Sequence, residues 1–275
     1  MNPMLKQVLS VCVLLALFGQ ARADPLSDAD RAYREKDFEK AINLYLPLAR
    51  KGNAEAQLSL GLMYDNGQGV PQDYKEARQW FRLAADQGNA GGQFNIGMMY
   101  YRGEGLHQDY KEALKWFQLA AKQGNASGQF YTGVMYDNGQ GVPQDLKAAV
   151  KWYQLAAKQG NVYAQLNLGL MYDKGQGVPQ DYTKAVKWLR LAAIQGDAKA
   201  QANLGTKYEQ GQGVPRNQAL AYMWLSTAAA NTTDGELKQT VATHLDSIAQ
   251  KMTARQIARA QQLARQCAAN RFKGC

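Results

Sequence analysis

Apolar residues recur along this chain at two nested periods. Over short stretches they fall three and four apart, as in Ala56, Leu60 and Tyr64, and then in Tyr74, Ala77, Phe81 and Ala84. That spacing puts each set on one stripe of an α-helix. The whole pattern then returns every 36 residues. Gly61, Gly97, Gly133, Gly169 and Gly205 keep this interval, and so do Trp80, Trp116, Trp152, Trp188 and Trp224. Self-similarity at a period of roughly 20 to 50 residues marks a repeat array. No strand pattern competes with it.

The first copy shows the plan of a unit. Ala54 to Asn66 forms helix A, and Gly61 beside its core stripe lets a neighbouring helix approach closely. Gly67 ends the helix. Gly69-Val70-Pro71-Gln72 is a turn in which Val70 plugs inward and Pro71 blocks helix continuation. Asp73 caps helix B, with Glu76 completing a capping box, and Asp109 and Glu112 repeat the device. Gly88 stops helix B. Five such units are expected, at 53–88, 89–124, 125–160, 161–196 and 197–230.

The flanks differ. Residues 24–52 read as a variant opening pair, with a helix from Ser27 to Glu35 and a second one capped by Asp37, its last turn loosened by Pro47. After Trp224 the period stops. Residues 231–275 read as a helical cap with stripes Leu237, Val241, Leu245, Ile248 and Ile257, Ala260, Ala264, Cys267. A solenoid end needs such a cap, with a polar outer face. At the other end, Lys6, the apolar stretch Val8 to Phe18 and Ala21-Arg22-Ala23 read as a signal peptide over 1–23. The stretch is shorter than the roughly 20 residues of a membrane span. The chain is therefore expected to be exported, periplasmic or secreted, with no integral membrane segment after cleavage. Cys12 follows Val11 inside the stretch, which argues against lipidation. Cys267 and Cys275, an even pair in an exported chain, suggest a disulfide, two free thiols being the alternative.

The formal charge is +9, with Lys6 and Arg22 in the leader. The other basic residues are spread over every unit without a run, which reads as a solvated helical face and not a nucleic-acid stripe. His107 and His244 lack metal-ligand spacing, so no metal or cofactor is expected. Gly67-x-Gly69 follows a helix and not a strand, which excludes a phosphate loop. Asp65, Asp137 and Asp173 read as solvated helix ends.

Ala56, Leu60-Gly61, Tyr64, Gly67-Gln68-Gly69-Val70, Asp73, Trp80, Ala84-Ala85 and Gly88 resemble the Sel-1-like repeat family, a branch of the tetratricopeptide superfamily. The opening unit looks more like a plain tetratricopeptide repeat. The resemblance implies an all-α, right-handed superhelical solenoid of antiparallel helix pairs. It also implies a scaffold that binds a protein or peptide in its concave groove, with bacterial exported relatives implicated in envelope function and host-cell interaction. Some cysteine-rich relatives are described as β-lactamase-like. Ser-x-x-Lys and Lys-Thr-Gly are both absent here, which argues against an enzyme. A glycan-binding module and a cell-wall-peptide enzyme are the alternatives, and a monomer is expected.

At about 100° per residue, Ala56, Gln57, Leu60, Gly61 and Tyr64 share the core arc of helix A. The opposite arc lines the groove in tetratricopeptide relatives. Its expected binding residues here are Leu58, Phe94, Asn95, Tyr101, Phe130, Tyr131, Leu166, Asn167 and Asn203. Aromatic anchors and an asparagine ladder suit peptide recognition. The competing reading is that the apolar members pack one helix A onto the next.

Overall fold

The computed structural model describes residues 24–270 and residue 272; the leader stretch and Cys275 lie outside the described residues. Among the described residues there are fourteen α-helices and no strand. They fall into two compact units, one ending at Gly92 and one beginning at Gln93. The first holds α1 (Pro25–Arg34), α2 (Phe38–Arg50), α3 (Ala54–Asn66) and α4 (Tyr74–Asp86). Helix α5 (Ala90–Arg102) opens at its end. The second unit continues with α6 (Tyr110–Lys122), α7 (Ala126–Asn138), α8 (Leu146–Lys158), α9 (Val162–Lys174), α10 (Tyr182–Ile194), α11 (Ala198–Gln210) and α12 (Gln218–Asn231). Helices α13 (Gly235–Ala249) and α14 (Ala254–Ala269) close it, both packed on α12. From α7 to α12 each helix packs against its two neighbours in the chain, which is the nearest-neighbour architecture of a solenoid.

Helix α1 begins two residues ahead of the sequence expectation, because Asp24 supplies the N-cap and Pro25 takes the first helical position, where its missing N–H costs nothing. Pro47 is carried inside α2 without ending it. The A helices end on glycines in the left-handed region, Gly67, Gly139, Gly175 and Gly211, at φ 65° to 72°. The B helices are capped by Asp73, Asp109, Asp145 and Asp181, whose carboxylates accept backbone N–H groups of the first turn. The expected capping box does not form at Glu76 or Glu112. The backbone N–H it would need is already used: Asp73 donates to the Tyr64 carbonyl at 3.0 Å and Asp109 to that of Tyr100 at 3.0 Å. Those carbonyls belong to the last turn of helix A, so the same bond closes an otherwise orphaned acceptor. Glu76 accepts from Gln79 instead, and Glu112 pairs with Lys115.

Two devices fix how the helices lie. Within a pair, the repeated glycine lets a side chain of helix B rest on the backbone of helix A. A Cβ on Gly133 would lie 2.7 Å from the Tyr153 ring, on Gly169 2.8 Å from Leu189 Cγ, and on Gly205 2.8 Å from Leu225 Cγ. Between pairs, a buried glutamine acts as a relay. Gln129 Nε2 donates to the Ala121 carbonyl at the end of α6 (3.2 Å), and its Oε1 accepts from Gln159 beyond α8 (2.7 Å). Gln165 joins Ala157 to Gln195 in the same way. Gln201 joins Ala193 to Asn231. In the first unit Gln57 joins Ala49 to Gln87.

One core position breaks its series. Met63, Met135 and Met171 are buried, and Lys207 takes the corresponding place in α11 at 6 % exposure. Its Nζ lies 2.5 Å from Asp173 Oδ1, 2.7 Å from Gln212 Oε1 and 5.0 Å from the Tyr182 ring centroid. The pair is mostly shielded from water, so removing one partner strands the other charge. In the cap, Cys267 is buried and disulfide-bonded, with its Sγ 3.5 Å from Met223 Sδ.

Two outcomes follow for stability. Gly133→Ala forces a methyl into the Tyr153 ring and lowers unfolding free energy by about 2 kcal/mol, measured by urea denaturation. Lys207→Met, although it restores the residue of the other units, costs about 3 kcal/mol by stranding Asp173; adding Asp173→Asn recovers most of the loss, and a double-mutant cycle reads the coupling.

Candidate functional site

The free arcs of helices α5, α7 and α9 gather aromatic rings into one array within the second unit. Phe94 and Tyr101, two turns apart on α5, both reach Tyr131 on α7, each at 5.7 Å between centroids. Tyr131 stacks on Phe117 of α6 at 5.2 Å and meets Phe130 edge-on at 5.2 Å. Phe130 in turn lies 5.8 Å from Tyr153 of α8 and 5.9 Å from Tyr163 of α9. Phe117 and Tyr153 are buried and form the floor. Phe94, Tyr101, Phe130 and Tyr131 are half-buried, and Tyr163 is 58 % exposed. Each such ring pair contributes about 0.5–1.5 kcal/mol beyond area burial. The array is thus held rigid before anything binds, which lowers the ordering cost of binding.

The polar edge of the array is also ordered. The Tyr153 hydroxyl donates to Asp137 Oδ2 at 3.0 Å and is hydrogen-bonded by Asn167. Burial raises its pKa well above the usual phenol value, and the Asp137 charge adds to the effect. Burial likewise raises the Tyr131 phenol, with Arg102 opposing. Tyr101 donates to Gln140 Oε1 at 3.5 Å. Beside Tyr163 and Leu166 a cleft of about 580 Å³ opens, bounded by Lys199 and the turn at 231–234.

The structure brings Phe94, Tyr101, Phe130 and Tyr131 together. Asn167 borders them, its amide engaged by Tyr153. Asn203 lies on α11 and donates to its own helix at the Lys199 carbonyl, 2.7 Å away. Asn95 is half-buried on α5. Leu166 is buried in the core cluster that includes Val186 and Leu189, and only borders the cleft. Leu58 belongs to the first unit, where its Cδ2 lies 2.6 Å from the place of a Cβ on Gly91. Asp137 and Asp173 are not the solvated helix ends expected of them: one accepts from Tyr153 and the other pairs with Lys207. Tyr163 was outside the expected set. The signal for it is the corresponding position in the other copies, occupied by Glu55, Gly91, Ser127 and Lys199, the kind of variation a binding surface shows.

Among the described residues no group of acidic, histidine and cysteine side chains has metal-binding geometry. No described helix is long and apolar enough to cross a membrane. His107 is exposed, and His244 borders a cleft of about 450 Å³ with Glu209, Arg216 and Ser247.

Comparison with known proteins gives a consistent picture. The Sel1 repeat family model matches residues 30–53, 54–89, 90–125, 126–161, 162–197 and 198–232. Among solved structures, a Sel1 repeat protein from Oxalobacter formigenes is 33% identical, with 82% of this chain and 88% of that one covered at a TM-score of 0.73. A protective antigen present in uropathogenic Escherichia coli strains, displaying an SLR fold, is 34% identical at a TM-score of 0.77. That alignment covers 95% of this chain and 56% of the antigen, so the chain spans about half of its length. Comparison with curated proteins gives no match.

The buried phenols carry a pH dependence. Folded Tyr153 and Tyr45 hold their protons above the ordinary phenol value near 10. The stability they contribute is present below that value and declines as pH rises beyond it. In an alkaline titration, the last tyrosinate absorbance is expected to appear only together with loss of helical circular dichroism.

Proposed function

We propose that this chain, which belongs to the Sel1 repeat family, is a non-catalytic exported scaffold that binds an extended peptide or protein segment along the aromatic face of α5, α7 and α9. The Sel1 repeat fold generally serves as a protein-interaction scaffold. The observation that carries the reading is the continuous ring array from Tyr101 through Tyr131 and Phe130 to the exposed Tyr163. Its rings offer apolar anchor sites, and the neighbouring cleft with Lys199 supplies polar contacts for a bound chain. The leader pattern of residues 1–23 supports export, and the division into a leader, an opening pair, five full repeats and a cap is part of the same reading. The chain acts as a monomer in it.

Peptides selected against the chain from a random display library test this face. Phe130→Ala with Tyr163→Ala is expected to weaken their binding by about 30-fold, the loss typical of a central hot spot, as read by titration calorimetry. Unchanged affinity places the binding elsewhere. Failure to select peptides, together with a signal on a glycan array, favours the sugar-binding alternative.

A further inference from the structure

Two B helices of the second unit, α6 and α8, carry a different surface. On α6, Lys111, Lys115 and Lys122 lie with Leu119 on an arc of about 80°, taking about 100° per residue. That arc is opposite the buried Ala113, Phe117 and Ala120. On α8, Lys147, Lys151, Lys158 and Leu155 repeat the arrangement. Helix α7 packs between the two. The six lysines are exposed, and the leucines are 43 % and 44 % exposed, unusually high for large apolar side chains. Glu112 is the single acidic residue in the two helices, and it pairs with Lys115. Asp109 and Asp145 stand at one end, with their carboxylates engaged as N-caps. The corresponding helix of the first unit, α4, keeps Leu83 but has Gln79 and Asp86 in place of the second and third lysines, and Asp86 pairs with Arg82.

We infer that the outer face of α6 and α8 docks the protein on an anionic phospholipid surface. The charge is supplied by lysines, flexible point charges without the fixed fork by which arginine reads a particular phosphate or carboxylate. Such charges suit a fluid layer of anionic headgroups, where each is worth about a fivefold gain in partition. The leucines stand out from helix ridges between cations. A folded acidic partner would need a matching pocket for each of them. A headgroup layer with hydrocarbon beneath accepts a protruding apolar side chain anywhere, as it does for surface-lying basic amphipathic helices. The inference is independent of the peptide-binding face, which lies on the A helices, and the two together describe a scaffold held at a bilayer surface with its aromatic face available.

Sedimentation of the chain with phosphatidylglycerol–phosphatidylcholine vesicles tests this. Binding is expected to mixed vesicles and not to phosphatidylcholine alone, and to fall as salt screens the charges. Changing Lys115, Lys122, Lys151 and Lys158 together to Gln is expected to weaken it at least about 100-fold. Leu119→Ser with Leu155→Ser should weaken it about tenfold at unchanged charge, and Leu83→Ser should leave it unchanged. All these positions are on the surface, and circular dichroism checks that the helices are retained. Phe130→Ala with Tyr163→Ala should leave vesicle binding intact, which separates this face from the peptide face. Absence of binding to the mixed vesicles overturns the inference. So does equal binding to polyglutamate that ignores the leucine changes, since the face would then read acidic polymers and not lipid.

Discussion

Within each repeat the backbone of one helix lies in contact with a side chain of the next, at a separation that no Cβ would permit. Gly133 under Tyr153 and Gly169 under Leu189 are the clearest cases. Because protein interiors are close-packed, this contact sets the distance and rotation of the pair, and the rest follows from it. The core arc of helix A is fixed against helix B. The opposite arc must then face outward, carrying whatever residues occupy it. The aromatic array is consequently a product of pair geometry as much as of composition. Phe130 can meet both Tyr153 and Tyr163 because its own helix is pinned by a glycine one turn further on.

The outer arcs of the two kinds of helix have diverged in chemistry. Those of α5, α7 and α9 hold rings: Gln140 accepts from Tyr101, while Asp137 and Asn167 hold the Tyr153 hydroxyl that reaches them from α8. Those of α6 and α8 hold lysines and isolated leucines. The net positive charge of the chain looks evenly spread in the sequence, yet in the second unit folding concentrates much of it on one class of helix. The core arcs, in contrast, stay nearly constant from unit to unit, with Lys207 as the exception that couples α9 to α11 through Asp173.

What was legible in the sequence was local. The 36-residue interval, the left-handed glycines and the aspartate caps are set by residues within a few positions of one another, and the helix bounds follow from them. What was not legible depended on partners brought from a distance. Glu76 had the right spacing for a capping box, but the amide it required was already taken by Tyr64. Asp137 and Asp173 looked solvated because their partners, Tyr153 and Lys207, lie 16 and 34 residues further along. Leu166 shares its arc with Phe130, but it is buried in the core cluster of Val186 and Leu189. Tyr163 stands at a position that no other copy fills with an aromatic ring, so the 36-residue period does not mark it.

The glutamine relay has an evolutionary consequence. Each buried amide takes its acceptor from the preceding unit and hands its own oxygen to the following turn, so every full repeat begins and ends with the same unmet need. A gene duplication that inserts a whole number of repeats leaves all of these bonds intact, whereas one that inserts a fraction strands two buried polar groups at each junction. The array can therefore lengthen or shorten in whole steps at little thermodynamic risk. Asn231 ends the series: where the relay would call for another glutamine, a shorter amide meets Gln201, and the chain turns into α13. The number of repeats is thus a quantity that selection can tune, with a terminator already built in.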